Sequence, residues 1–448
     1  MTTRTTSTAS TAVPFLHPGM KVPFIMVVTC FAAWGVAANM TDPMVGAFKS
    51  VFDMSLLQSA LVQSAYYGAY FLLAIPAAFL NSRFSYKVGV LVGLALATAG
   101  GALFVPAASA MTFNFFLLAL FTLAAGLSVL ETSANPFVLS MGPRSNATRR
   151  LNFAQSFNPI GTLSGSAIAA IFILPAISSP EDREGLSAEA AQSQMQDELL
   201  AISTPYVVLA VVLAIILVGI FLTRIPGQKA STSFEVDPRG SGSRISRLWG
   251  NKPYVFGVAA QYFNVAGQTC IWTYTTVYVV DILDKSQGEA GRWLIASLII
   301  FGISRFLMVF LMGFIDSRKL MITMCLIGIV LTMTAVVFPS VLGAVAVVAS
   351  SASLSLLFPT IYGLALQDLS AEDQKFGAAG LVMAIVGGAT LPLVAAAIGD
   401  ASAVNYSYVI PAICFALIAA YGVYTLKAID INVKDDVDPA TGAAPRVV

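Results

Sequence analysis

The sequence predicts an all-α membrane protein with about twelve transmembrane helices in two six-helix bundles. Three observations predict it. First, 57% of the 448 residues are hydrophobic and only 10% are charged, with a mean hydropathy of +0.81; a soluble domain carries about 25% charge. Second, the apolar residues run without alternation, as in 24–36, 91–104, 206–222 and 320–337. About 20 such residues cross a hydrocarbon core about 30 Å thick. Backbone groups in lipid need internal partners, so only helices and closed barrels qualify, and unbroken apolarity argues against a barrel. Third, one polar, basic stretch separates six apolar runs from six others.

The elements follow in order. Residues 1–21 are polar and rich in Thr and Ser. They lack the basic start, apolar core and cleavage site of a signal peptide, and are expected to be disordered and to stay inside. His17 lies there, and a lone tail histidine is given no role. The N-terminal bundle, 22–225, has spans near 22–46, 56–80, 87–106, 112–140, 150–176 and 203–224. The acidic "PEDREGLSAEA" segment lies in the loop between its fifth and sixth spans. Residues 226–252 form the central loop. The C-terminal bundle, 253–427, has spans near 253–281, 291–315, 319–338, 341–366, 375–399 and 405–427, and 428–448 is a tail. "ANPFVLSMG" and "FNPIGTLSG" in the first half faintly echo "LFPTIYGLA" and "MAIVGGATL" in the second. Such repeats suggest like bundles about an axis along the membrane normal, with a site between them near mid-depth.

Basic residues set the orientation. Nineteen, from Arg4 and Lys21 to Lys434 and Arg446, fall in the termini and the loops on their side. Four, Lys49, Arg183, Lys285 and Arg292, fall on the other. Retained loops are enriched in Lys and Arg, so both termini are placed in the cytoplasm. The expected location is the plasma membrane, the inner membrane of a bacterium. Cys30, Cys270, Cys325 and Cys414 sit in separate apolar runs without metal-like spacing and read as small core residues. A net charge of +1 suggests no attraction to nucleic acid.

Three ionisable residues fall well inside spans: Asp42, Glu131 and Arg305. A charge at a helix centre costs about 2.5–3.5 kcal/mol on insertion scales, so such residues face a bundle interior or a wet cavity. A structural ion pair or a helix-end position remains the alternative for each. Asp42 follows Asn39 in "WGVAANMTDPM", where Pro43 should interrupt the helix, and Glu131 precedes "TSANP", where Pro136 repeats the device. Gln155, Asn158 and Thr162 share one helix face. Gln261, Asn264, Gln268, Trp272 and Thr275 share another. These stripes serve either as interhelical glue or as a cavity lining. Amides that donate and accept match vicinal hydroxyls, and an indole suits the C–H face of a sugar ring. The residues thus point to a small, neutral, hydroxyl-rich solute.

With these residues in view, the chain resembles the L-fucose–proton symporter family of the major facilitator superfamily. The resemblance spans almost the whole membrane portion. It rests on "AAWGVAANMTDPM", "SYKVGVLVGL", "LETSANPFV", "RLNFAQSFNPIGT", "QYFNVAGQTCIWTY", "SRF" at 304–306, "FPTIYGLALQDL" and "AGLVMAIVGGATLP". The first loop has only "NSRFSYK" in place of the basic signature common elsewhere in the superfamily, a departure this family shares. The resemblance implies alternating access, a central sugar site and import coupled to protons. It implies that Asp42 and Glu131 are the functional acids and that Asn39, Gln155 and Asn158 surround the sugar. Together with the stripes, the sugar site is expected to comprise Asn39, Glu131, Gln155, Asn158, Gln261, Asn264, Gln268 and Trp272. Arg305 pairs with an acid in one state or holds helices together. A carboxylate in a poorly hydrated cavity loses solvation, which favours the neutral acid, and protonation lets the loaded carrier rock. The competing readings are a glucose or galactose carrier coupled to protons or sodium, a sugar sensor, and, last, a membrane enzyme. Expected partners are a sugar, protons and the lipid bilayer. The expected state is monomeric, with no nucleic acid, cofactor or metal.

Overall fold

In lipid each apolar run must close its backbone bonds on itself, and the described residues are helical almost throughout. The computed structural model describes residues 14–41, 44–54, 58, 61–178, 186–224 and 244–428. The first half contains α1 (Lys21–Thr41, followed by the short segment Met44–Val51), α2 (Leu61–Arg83) and α3 (Tyr86–Ala102, prolonged by Phe104–Ala110). It continues with α4 (Phe113–Ser140), α5a (Ala147–Gln155), α5b (Asn158–Ile168) and α6 (Ala188–Leu222). The second half contains α7 (Lys252–Leu283), α8 (Gln287–Leu311), α9 (Ser317–Val337), α10a (Val341–Leu354) and α10b (Leu357–Gln367). It ends with α11a (Ala371–Met383), α11b (Gly387–Ala401) and α12 (Val409–Ala428). Ten passes are long and apolar enough to span a membrane. With α2 and α7, which are as long but more polar, the described residues make twelve passes.

Several boundaries differ from the sequence expectation, each for a local reason. Helix α6 begins at Ala188 rather than near 203, because Ser187 caps it by accepting from the Ala190 N–H. The polar "AEAAQSQMQDELL" is thus the first part of a 35-residue helix and not a loop. Within the central stretch 226–252, residues 244–250 form a short helix, and 225–243 lie outside the described residues. The N-terminal tail was expected to be disordered, yet its residues 14–20 dock on the α4–α5a junction. There the His17 N–H donates to the Met141 carbonyl (2.9 Å), Asn146 Nδ2 to Pro14 O (2.8 Å) and Arg150 Nη1 to Phe15 O (3.1 Å). The four cysteines are buried and free.

Close crossings of small residues hold the first bundle together. A Cβ on Gly93, Gly100 or Gly126 would collide with backbone of the facing helix, so α3 and α4 touch main chain to main chain. α2 also packs on α4, α1 on α5b, and α3 on α6. In the second bundle α9 packs on α12 and α10a, α7 on α12 and α11b, and α8 on α10a.

The bundles meet unevenly. α11a packs on α2 and α4, α10b on α5a, and α8 on α5a and α5b. α11a, α10b, α5a and the last turns of α2, α4 and α8 all lie toward the side that carries both chain ends. On that side Phe79 and Phe376 meet edge to face at 5.0 Å, and Arg149 Nε donates to Val309 O (3.2 Å). Arg247 clamps Asp373 at the start of α11a, with Nη2···Oδ1 at 2.7 Å. The bundles are therefore closed on the termini side and parted on the other.

Candidate functional site

The parting leaves a central hollow of about 280 Å³, lined from both bundles. One wall carries Asn39 from α1, the tyrosines Tyr66, Tyr67 and Tyr70 from α2, and Gln155, Asn158 and Thr162 from α5. The other carries Gln268, Thr269, Trp272 and Thr273 from α7 and Phe301 and Arg305 from α8. Six of the expected site residues thus meet here: Asn39, Gln155, Asn158, Gln268, Trp272 and Arg305.

The walls are pre-set by hydrogen bonds. Asn39 Nδ2 donates to Gly35 O (2.9 Å) and Thr162 Oγ1 (3.1 Å), and Asn158 Nδ2 donates to Phe31 O (3.3 Å). Asn39 spends both N–H groups on the protein and Asn158 one, and each keeps a carbonyl oxygen for a ligand hydroxyl. Gln155 Nε2 donates to Asn135 Oδ1 (2.7 Å). The indole N–H of Trp272 donates to Ser351 Oγ (3.2 Å), and its ring stands edge-on to Phe301 at 5.1 Å. That ring is therefore fixed, which lowers the entropy lost when a ligand stacks on it. Trp34 Nε1 donates to the Tyr70 hydroxyl (2.5 Å).

Arg305 is 4% exposed and lies across the floor. Its Nε donates to Ser355 O (2.7 Å), its Nη1 to Gln155 O (2.9 Å), and its guanidinium sits 4.8 Å over the Phe301 ring. It pairs with no carboxylate among the described residues.

Glu131 does not line the hollow. It lies behind the wall on α4, 2% exposed, and neither carboxyl oxygen has a hydrogen-bond partner among the described residues. One turn earlier Ser128 Oγ donates to Tyr70 O (3.1 Å), which seats this part of α4 against the tyrosine face of α2. Asn135 and Tyr362, both buried, interact through their side chains nearby. Gln261 and Asn264 likewise stand outside the lining, buried and with both ends of each amide unpartnered among the described residues. Thr275 is buried too and donates to Ile271 O (2.6 Å). Of the five residues expected on one face of α7, Gln268 and Trp272 reach the hollow and the other three do not. Asp42 and Pro43 lie outside the described residues.

Pro136 does not interrupt its helix as expected. α4 runs unbroken through it, and Asn81 Nδ2 reaches the carbonyl of Thr132 (3.4 Å), the one whose amide partner the proline removes. The sequence reading missed the aromatic lining, namely Trp34, Tyr66, Tyr67, Tyr70, Phe301 and Phe358. The one signal for it was "AYYGAY", three tyrosines within one apolar run.

Comparisons with known proteins agree with this fold. The family model described as Major Facilitator Superfamily matches residues 24–388. The chain is 40% identical over 414 residues to the L-fucose-proton symporter of Haemophilus influenzae, covering 90% of this chain and 96% of that protein. It is 30% identical over 400 residues to the glucose/galactose transporter of Brucella abortus, covering 89% and 92%. The crystal structure of FucP, the fucose:proton symporter of Escherichia coli, in the outward conformation superposes with a TM-score of 0.83. That pair is 32% identical, over 91% of this chain and 99% of that one.

Proposed function

Because the chain belongs to the Major Facilitator Superfamily, we propose that it imports a monosaccharide, first of all L-fucose, together with protons by alternating access. The observation that carries this reading is the hollow itself, with amide carbonyls on one wall and a pinned indole on the other. The names of the H. influenzae and E. coli relatives supply the sugar and the coupling ion. With both termini in the cytoplasm, as the basic loops argue, the closed side faces the cytoplasm and the hollow faces outward.

In this reading Asn39, Gln155, Asn158 and Gln268 bond sugar hydroxyls and Trp272 carries the ring. Glu131 and Asp42 are the proton-coupling acids. A carboxylate at Glu131 has no donor among the described residues to compensate it, and an uncompensated buried charge is strongly destabilising. A proton arriving with the sugar removes that charge before the barrier closes over it. An inside-negative potential adds about 2.3 kcal/mol per charge per 100 mV where the full field is crossed. The protein acts as a monomer in the bacterial inner membrane.

The experiment is uptake of labelled sugars into proteoliposomes across an imposed pH gradient, with and without sodium. L-fucose should accumulate with an inward proton gradient and stop when a protonophore is added. Accumulation of glucose and galactose but not fucose would instead support the second reading, which the B. abortus relative motivates. Uptake indifferent to pH would remove the proton coupling.

A further inference from the structure

A helix carbonyl normally accepts from the N–H four residues on, and a proline there leaves it open. Pro159 does this to Gln155, and Pro359 does it to Ser355. Both carbonyls sit where a helix breaks, α5a from α5b and α10a from α10b. The breaks belong to different bundles, and one side chain takes both oxygens. Arg305 of α8 gives Nη1 to Gln155 O (2.9 Å) and Nε to Ser355 O (2.7 Å).

From this geometry we propose that Arg305 is a positioning residue of the transport cycle, a latch that holds the floor of the hollow shut across the two bundles. It rests on the alternating-access reading above. The bond to Ser355 stays within the second bundle and aims the guanidinium. The bond to Gln155 crosses to the first bundle, so it breaks when the bundles part on the termini side. Gln155 also holds Asn135 of α4 through its side chain, so the latch grips α5 at a point braced by its own bundle (2.7 Å). Nη2 of Arg305 has no acceptor among the described residues, and Arg305 lines the hollow, so a ligand hydroxyl there reaches the same guanidinium.

The molecule supplies its own contrast. Pro136 frees the carbonyl of Thr132, but Asn81 of the same bundle takes it (3.4 Å), and α4 stays continuous. A carbonyl freed by proline therefore becomes an inter-bundle latch only where its donor comes from across the gap.

The test uses the full-length protein in nanodiscs, spin-labelled at Phe84→Cys and Lys319→Cys, exposed positions on the termini side of opposite bundles. Distances are read by electron–electron double resonance without sugar or a gradient. Arg305→Lys offers one compact ammonium where a planar fork spans two carbonyls, and it should raise the ratio of the long to the short distance at least tenfold. Pro159→Ala returns an amide to Gln155 O and should shift the ratio the same way by a smaller factor. It should add nothing in the Arg305→Lys background. Pro136→Ala, acting on a carbonyl held within one bundle, should leave the distribution unchanged. An unshifted distribution in folded Arg305→Lys, additivity with Pro159→Ala, or equal shifts for Pro159→Ala and Pro136→Ala would each overturn the latch. If Arg305→Lys does not fold, the contrast between the two proline variants still decides. Because no transport is measured, a latch that shifts as expected in a protein that accumulates no sugar leaves the latch standing and removes the symport reading.

Discussion

Glu131 is the residue on which the proposed coupling turns, and its isolation makes it testable. Glu131→Gln keeps the shape and removes the charge. It should abolish accumulation against a gradient, at least tenfold below wild type, while counterflow of preloaded sugar persists. Loss of both together, with the protein folded, would assign Glu131 to binding rather than coupling. Trp272 makes a different contribution. Stacking on a fixed ring is worth about 0.5–1.5 kcal/mol, so Trp272→Ala should weaken sugar binding about 2–10-fold by calorimetry. The reading of single residues from sequence was uneven for a physical reason. Helical register placed Gln268 and Trp272 on one face with Gln261 and Asn264. Register does not say at which depth the facing bundle closes over that face, and here it closes before Gln261 and Asn264 reach the hollow.

Among the elements, proline was legible and its consequence was not. All of Pro136, Pro159 and Pro359 open a carbonyl, but α4 stays continuous while α5 and α10 break. For Pro136, the partner that takes the freed oxygen is a side chain 51 residues away in the chain, which no local pattern reveals. Glycine behaves similarly. Gly126 faces the backbone of Ala97 across the α3–α4 crossing, whereas Gly68 on α2 has nothing near its missing Cβ. Gly126→Val should cost about 1–3 kcal/mol through overpacking and lower the melting temperature in detergent. Gly68→Ala should match wild type or exceed it by up to about 1 kcal/mol, since it removes a flexible residue from a helix. Equal losses at both sites would mean that the crossing is looser than described.

For the whole molecule, the uneven meeting of the bundles is the decisive feature. The Phe79–Phe376 contact joins α2 to α11a on the closed side, with ring centroids 5.0 Å apart. A Phe79→Cys/Phe376→Cys pair joined by a short, reducible thiol cross-linker should hold that side shut. Uptake should fall to background after cross-linking and return on reduction, with each single variant unaffected by the reagent. Persistent uptake in the cross-linked protein would show that this side does not need to open.

By itself the sequence determined that the chain crosses a membrane as two sets of helices, which side of it the basic loops favour, and which polar residues have no place facing lipid. Those follow from local quantities: length, apolarity, charge and helical period. Only the tertiary structure decided which of those polar residues face one another, that Arg305 answers two proline-freed carbonyls and no carboxylate among the described residues, and that Glu131 sits behind the wall with no partner among them. Those depend on how two bundles dock, and docking joins residues far apart in the chain that no local periodicity relates.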